Sequence, residues 1–120
     1  MNQSIQNWLT NICLKEHPEE SIIAYNIGIF QTAEGYSLYM IGSEKFDPTD
    51  SDWATEIDFE PDEKYFVLSD DFKDLEWDDV QNKSIEAIQE FMKTDVFRTS
   101  FLAKAKAVTI GFDDGDLIRL

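Results

Sequence analysis

The segment Ser21–Ile41, SIIAYNIGIFQTAEGYSLYMI, reads as two strands and a turn. Ser21 to Thr32 is rich in Ile, Tyr and Phe, which suit a pleated, half-buried surface. Side chains alternate along a strand, so Ile23, Tyr25, Ile27 and Ile29 share one side. Ala24, Asn26 and Gly28 lie on the other. Ala33-Glu34-Gly35 supplies the turn, and Tyr36 to Ile41 is the returning strand.

Upstream of the hairpin, Ile5, Trp8, Leu9, Ile12 and Cys13 recur at i, i+3, i+4, i+7 and i+8. This is one apolar helical stripe, with Ser4 as N-cap, basic residues in the last turn and Pro18 as terminator. A helix is predicted over 4–16. Downstream, Gly42 to Asp52 is a polar loop. Trp53, Thr55, Ile57 and Phe59 then alternate with Ala54, Glu56, Asp58 and Glu60, which predicts a strand with the acidic side in water. Lys64 to Ser69 is a further short strand, and Asp70 to Asp74 a loop with Asp74 a candidate N-cap. Helical spacing returns over 75–94 through Trp77, Val80, Ile85, Ile88, Phe91 and Met92. Trp8 and Trp77, on these apolar stripes, are expected in the core. Residues 96–104 form a short helix or an irregular turn. Ala107 to Phe112 and Leu117 to Leu120 are strands around the Asp114-Gly115 turn signal.

The predicted fold is therefore α+β, in one domain spanning 1–120. It has an antiparallel sheet of five or six strands and two main helices packed on one face. The expected order is α-β-β-β-β-α-β-β. Hydrophobic residues make up 42% and aromatics 13% of the 120, which excludes a disordered acidic tail. The lone Cys13 forms no internal disulfide. No signal peptide and no apolar run long enough to cross a membrane is visible, so a cytoplasmic location is the simplest expectation.

Charge is the second informative feature. The formal net charge is −15. Residues 44–79 hold 15 acidic and 3 basic residues, so about four-fifths of the charge lies in that window. Direct binding to nucleic acid or to an anionic membrane is unfavourable for such a chain. On the predicted strand, Glu56, Asp58 and Glu60 would form a row about 6.7 Å apart. Their repulsion is relieved by a cationic partner, or tolerated as a solvated face that aids solubility. Trp53, at the head of that strand, is either core or an exposed anchor ringed by carboxylates. The candidate partner-binding residues are Trp53, Glu56, Asp58, Glu60, Asp70 and Asp71.

Signatures of catalysis are scarce. Cys13 and His17 lie four apart, but Cys13 continues the apolar stripe and nothing orients a thiolate–imidazole pair. One His and no nucleophile-elbow serine disfavour a Ser-His-Asp triad. An EF-hand frame starting at Asp50 has Ala54 at position 5, Thr55 at 6 and Pro61 at 12, and fails. Asp113, Asp114 and Asp116 form a secondary acidic turn that a hairpin explains without a metal. No nucleotide-binding glycine loop and no zinc ligand set is present, and no cofactor is expected.

The run Ile41-Gly42-Ser43, the acidic loop into Asp52-Trp53-Ala54, and Gly111-Phe112-Asp113-Asp114-Gly115-Asp116-Leu117 resemble small acidic immunity proteins of bacterial toxin–immunity systems. The likeness covers roughly residues 22–120. It implies a cytoplasmic, non-catalytic protein that binds a cognate toxin, often a basic nuclease. The alternatives are a general interaction or regulatory module, and a small metal-dependent enzyme using Asp113, Asp114 and Asp116.

Overall fold

A computed structural model of the chain describes residues 5–33, 35–68, 72–112 and 117–120. Helix α1 is Ile5–Lys15, and Ile5, Trp8, Leu9, Ile12 and Cys13 are all buried, so the stripe read from spacing is the one that packs. The hairpin consists of β1 (Ala24–Thr32) and β2 (Gly35–Ser43), in register from Ala24 opposite Ser43 to Thr32 opposite Gly35. Gly35 sits at φ +144°, which a side chain would strain. A 3₁₀ helix follows at Ser51–Thr55, then β3 (Tyr65–Val67), α2 (Trp77–Phe91), α3 (Asp95–Arg98), α4 (Phe101–Lys104), β4 (Ala107–Phe112) and β5 (Ile118–Arg119).

These elements make an α+β fold with one open five-stranded sheet in the order β3-β2-β1-β4-β5. The pairings are antiparallel except at the centre, where β1 and β4 run parallel. The chain leaves the hairpin, forms β3 beside β2, crosses through the helices and returns on the far side of β1. A helical crossover of that kind delivers a strand in the same direction as the one it flanks. The element order is thus α-β-β-β-α-α-α-β-β, one strand fewer than expected before the long helix.

One sheet face carries Tyr25, Ile27 and Ile29 of β1, beside Leu38 and Met40, Phe66, and Val108 and Ile110. All of them join a single cluster with the α1 stripe and with Val80, Ile88, Phe91 and Leu102. Both main helices cover this face, and each fully buried aliphatic side chain contributes about 1.5–3 kcal/mol. Trp8 fastens α1 to β3: its ring stacks on Phe66 at 5.6 Å, and its Nε1 donates to the Glu63 carbonyl at 2.7 Å. Ser84 of α2 is buried in the same direction, and its hydroxyl has no hydrogen-bond partner among the described residues.

Three local expectations change. Trp77 opens α2 and is exposed rather than in the core, with Phe112 edge-on to it at 5.9 Å. The N-cap is Glu76, two positions after the expected Asp74, and its side chain makes no capping bond. Residues 53–60 are not a strand. Ser51–Thr55 is a 3₁₀ helix, and β3 pairs only with Ser37–Tyr39, so the far end of β2 meets this segment at a single point. Only an isolated bridge forms, between Phe59 and Gly42. The alternation was a coincidence of separate packing events: Trp53 and Phe59 turn inward, while Ile57 is 49% exposed.

Candidate functional site

The face of the sheet opposite the helices carries Ala24, Asn26, Gly28 and Phe30 of β1. Beside them stand Ser37, Tyr39, Ile41 and Ser43 of β2, Tyr65 and Val67 of β3, and Ala107, Thr109 and Gly111 of β4. Most of β1 and β4 here is small or polar. Thr109 Oγ1 donates to Asn26 Oδ1 at 2.9 Å, pairing two buried polar groups across the parallel strands.

The connection from β2 to β3 is laid over half of this face. Trp53, 5% exposed, lies against Ala24 and Ala107, and meets Phe46 edge-on at 5.3 Å. Two alanines facing each other in register leave the space an indole needs. The connection is tied again where the Glu44 N–H donates to Asp58 Oδ2 at 2.8 Å and the Gly42 N–H donates to the Phe59 carbonyl at 2.8 Å. Near its start, Asp47 Oδ1 accepts from the Thr49 N–H at 2.9 Å and from its hydroxyl at 2.8 Å. Those bonds, the backbone one foremost, hold the Asp47 carboxyl below the ordinary carboxylate range.

A cavity of about 280 Å³ lies between this connection and the β4–β5 side, with Phe46, Asp47, Trp53, Thr109 and Arg119 among its walls. Arg119 is already engaged, donating through Nη2 to the Lys106 carbonyl at 2.7 Å and standing 5.2 Å from the Phe46 ring.

The predicted site residues end in different settings. Trp53 is buried and anchors the connection, so it is not an exposed contact. Glu56 is exposed on the connection. Asp58 closes the loop onto Glu44. Glu60 pairs with Lys64, whose ammonium is held above its ordinary range chiefly by that hydrogen bond. The three carboxylates therefore share a connection but not a strand, and the regular row does not exist. Asp70, Asp71, Asp113, Asp114 and Asp116 lie outside the described residues.

Over the other half of the outer face no element of the described residues is laid, and this half was not singled out from sequence. Phe30, Tyr39 and Tyr65 form a triangle of rings with centroids 6.0, 6.1 and 6.4 Å apart. Tyr65 is 60% and Val67 75% exposed. Tyr39 lies across Gly28, where an added Cβ would fall 2.0 Å from its ring. The available signal was Gly28 itself, on the polar side of β1 and opposite Tyr39 in the hairpin register.

Elsewhere, Cys13 faces the core and His17 faces solvent. Burial pushes the Cys13 thiol up to about 11, against a smaller opposing effect of its hydrogen bond with Ser100. The thiol is therefore protonated at neutral pH. Among the described residues, no group of three His, Cys, Asp or Glu side chains is placed to hold a metal ion. No described helix is long and apolar enough to cross a membrane. No protein-family model, curated protein or solved structure matches the chain.

Proposed function

We propose that this chain is a cytoplasmic, non-catalytic binding protein whose acidic β2–β3 connection receives a basic protein, and that this partner is a bacterial toxin, such as a nuclease, which it neutralises. The observation carrying the reading is the connection itself. Between Glu44 and Lys64 it has nine acidic and two basic residues. It is held to the sheet by Trp53, by the Asp58–Glu44 bond and by the Phe59–Gly42 bridge. Charge fixed in one place costs little ordering on binding and speeds encounter with a surface built to hold phosphates.

The test is association with a basic toxin, taken from the neighbouring genes if one is encoded there, followed against ionic strength. Complex formation at low salt, with a rate that falls steeply as salt rises, is the expected result. Glu56→Gln combined with Asp62→Asn should slow association about tenfold at low salt and flatten the salt dependence. Both side chains are exposed. Absence of a complex at low salt overturns the reading.

A further inference from the structure

We infer that the free edge of β3, together with the Phe30–Tyr39–Tyr65 platform, is a docking site for an extended strand of a basic protein partner. The inference deepens the proposed reading and rests on it for the sign of the partner's charge.

The backbone argument comes first. The Met40 N–H donates to the Lys64 carbonyl at 3.1 Å, and the Leu68 N–H donates to the Tyr36 carbonyl at 3.0 Å. Antiparallel pairing alternates, so Lys64, Phe66 and Leu68 turn their polar groups toward β2. Tyr65 and Val67 consequently turn theirs away from it, along the outer border of the sheet. Proteins usually blunt such a border with proline or charge, because it templates a further strand. Tyr65, Phe66 and Val67 contain neither.

Side chains give the second argument. Tyr65 and Val67 stand on the outer face, more than half exposed, next to Phe30 and Tyr39. A strand added to β3 would lay alternate residues over these rings, as in strand-addition recognition of peptides. Exposed apolar surface beside an open edge is a combination monomers otherwise avoid.

Charge selects the occupant. Glu60 and Glu63 precede β3 and pair with Lys64 and, at 3.2 Å, with Lys15, and the Lys64 ammonium also stands 5.2 Å from the Tyr65 ring. That last contact marks the ring as a cation acceptor. A second copy would bring −15 against −15. A strand alternating aliphatic and basic residues satisfies the edge and the rings, and complements the connection leading into β3, with its nine acidic and two basic residues.

The test uses the whole chain and an acetylated decapeptide of alternating Lys and Val, with backbone amide shifts and hydrogen exchange as readouts. Binding should perturb Tyr65 and Val67 and slow exchange of their amides. The Glu-Val counterpart should not bind. Val67→Pro, which removes an outward donor and leaves the pairing with β2 intact, should weaken the Lys-Val peptide at least tenfold, and Tyr65→Ser should act in the same direction. Equal binding of both peptides, or unchanged binding by both variants, overturns the inference. So does a dimer of the chain that Val67→Pro dissolves, since a second copy then owns the edge. A basic toxin that binds the wild type and both variants equally sinks this inference and leaves the proposed function standing. A chain that binds the peptide but no basic protein does the opposite.

Discussion

The two halves of the outer sheet face solve one packing problem in two ways. Each has a pair of small residues facing each other across the parallel strands, Ala24 with Ala107 and Gly28 with Gly111. Each has an aromatic ring beside its pair, Trp53 against the alanines and Tyr39 across Gly28. In the first half the ring belongs to a long connection and brings a roof with it. In the second the ring belongs to the sheet and nothing described lies above it. Small residues in a strand thus mark where something larger rests, and only the origin of the large group decides whether the place is core or surface.

Substitutions can break this pairing of halves. Trp53→Ala removes the piece that holds the connection down and should cost about 3–5 kcal/mol in denaturant unfolding. A loss below 1 kcal/mol would mean that the roof is held by its polar ties alone. Ala24→Leu intrudes under an indole that cannot leave, and should cost about 1–3 kcal/mol. Gly28→Ala makes an even closer clash, 2.0 Å from Tyr39. There, however, the atoms met are the far end of a half-buried side chain, and alanine suits a strand better than glycine does, so the net loss should be about 1 kcal/mol or less. A larger loss at Gly28 than at Ala24 would show that Tyr39 is as confined as Trp53. Tyr65→Ser, on the exposed border, should change stability by about 0.5 kcal/mol at most while weakening strand docking. Calorimetry against wild type checks both parts.

What was legible in the sequence follows the same division. The α1 stripe and the two hairpin strands were readable because one periodic signal met one uniform surface, although β2 starts one residue earlier than expected, with Gly35 paired to Thr32. The parallel centre was harder, although β1 is buried on both sides from Ala24 to Ile29. That burial pattern belongs to an interior strand flanked by a crossover, whereas the expected sheet was antiparallel. The acidic connection was located correctly as a charged region and wrongly as a strand. Trp53 and Phe59 are spaced like strand neighbours, yet each is drawn inward by a different partner, the alanines in one case and Tyr25 and Phe101 in the other. The aromatic platform escaped notice because its exposure depends on how far the connection reaches across the sheet, which no local pattern records.

The parallel contact between β1 and β4 also sets an order of events in time. The β1–β2 hairpin is local and closes within microseconds in isolation. Thr109 must find Asn26 across 83 residues, after the crossover helices have taken shape. Long-range parallel pairing is slow because loop closure precedes any reward. Until β4 arrives, β1, whose residues Ala24 to Ile29 are all buried in the finished fold, is a bare border. A chain cut before Ala107 retains that border permanently, and so turns the central strand of a folded domain into a seed for aggregation.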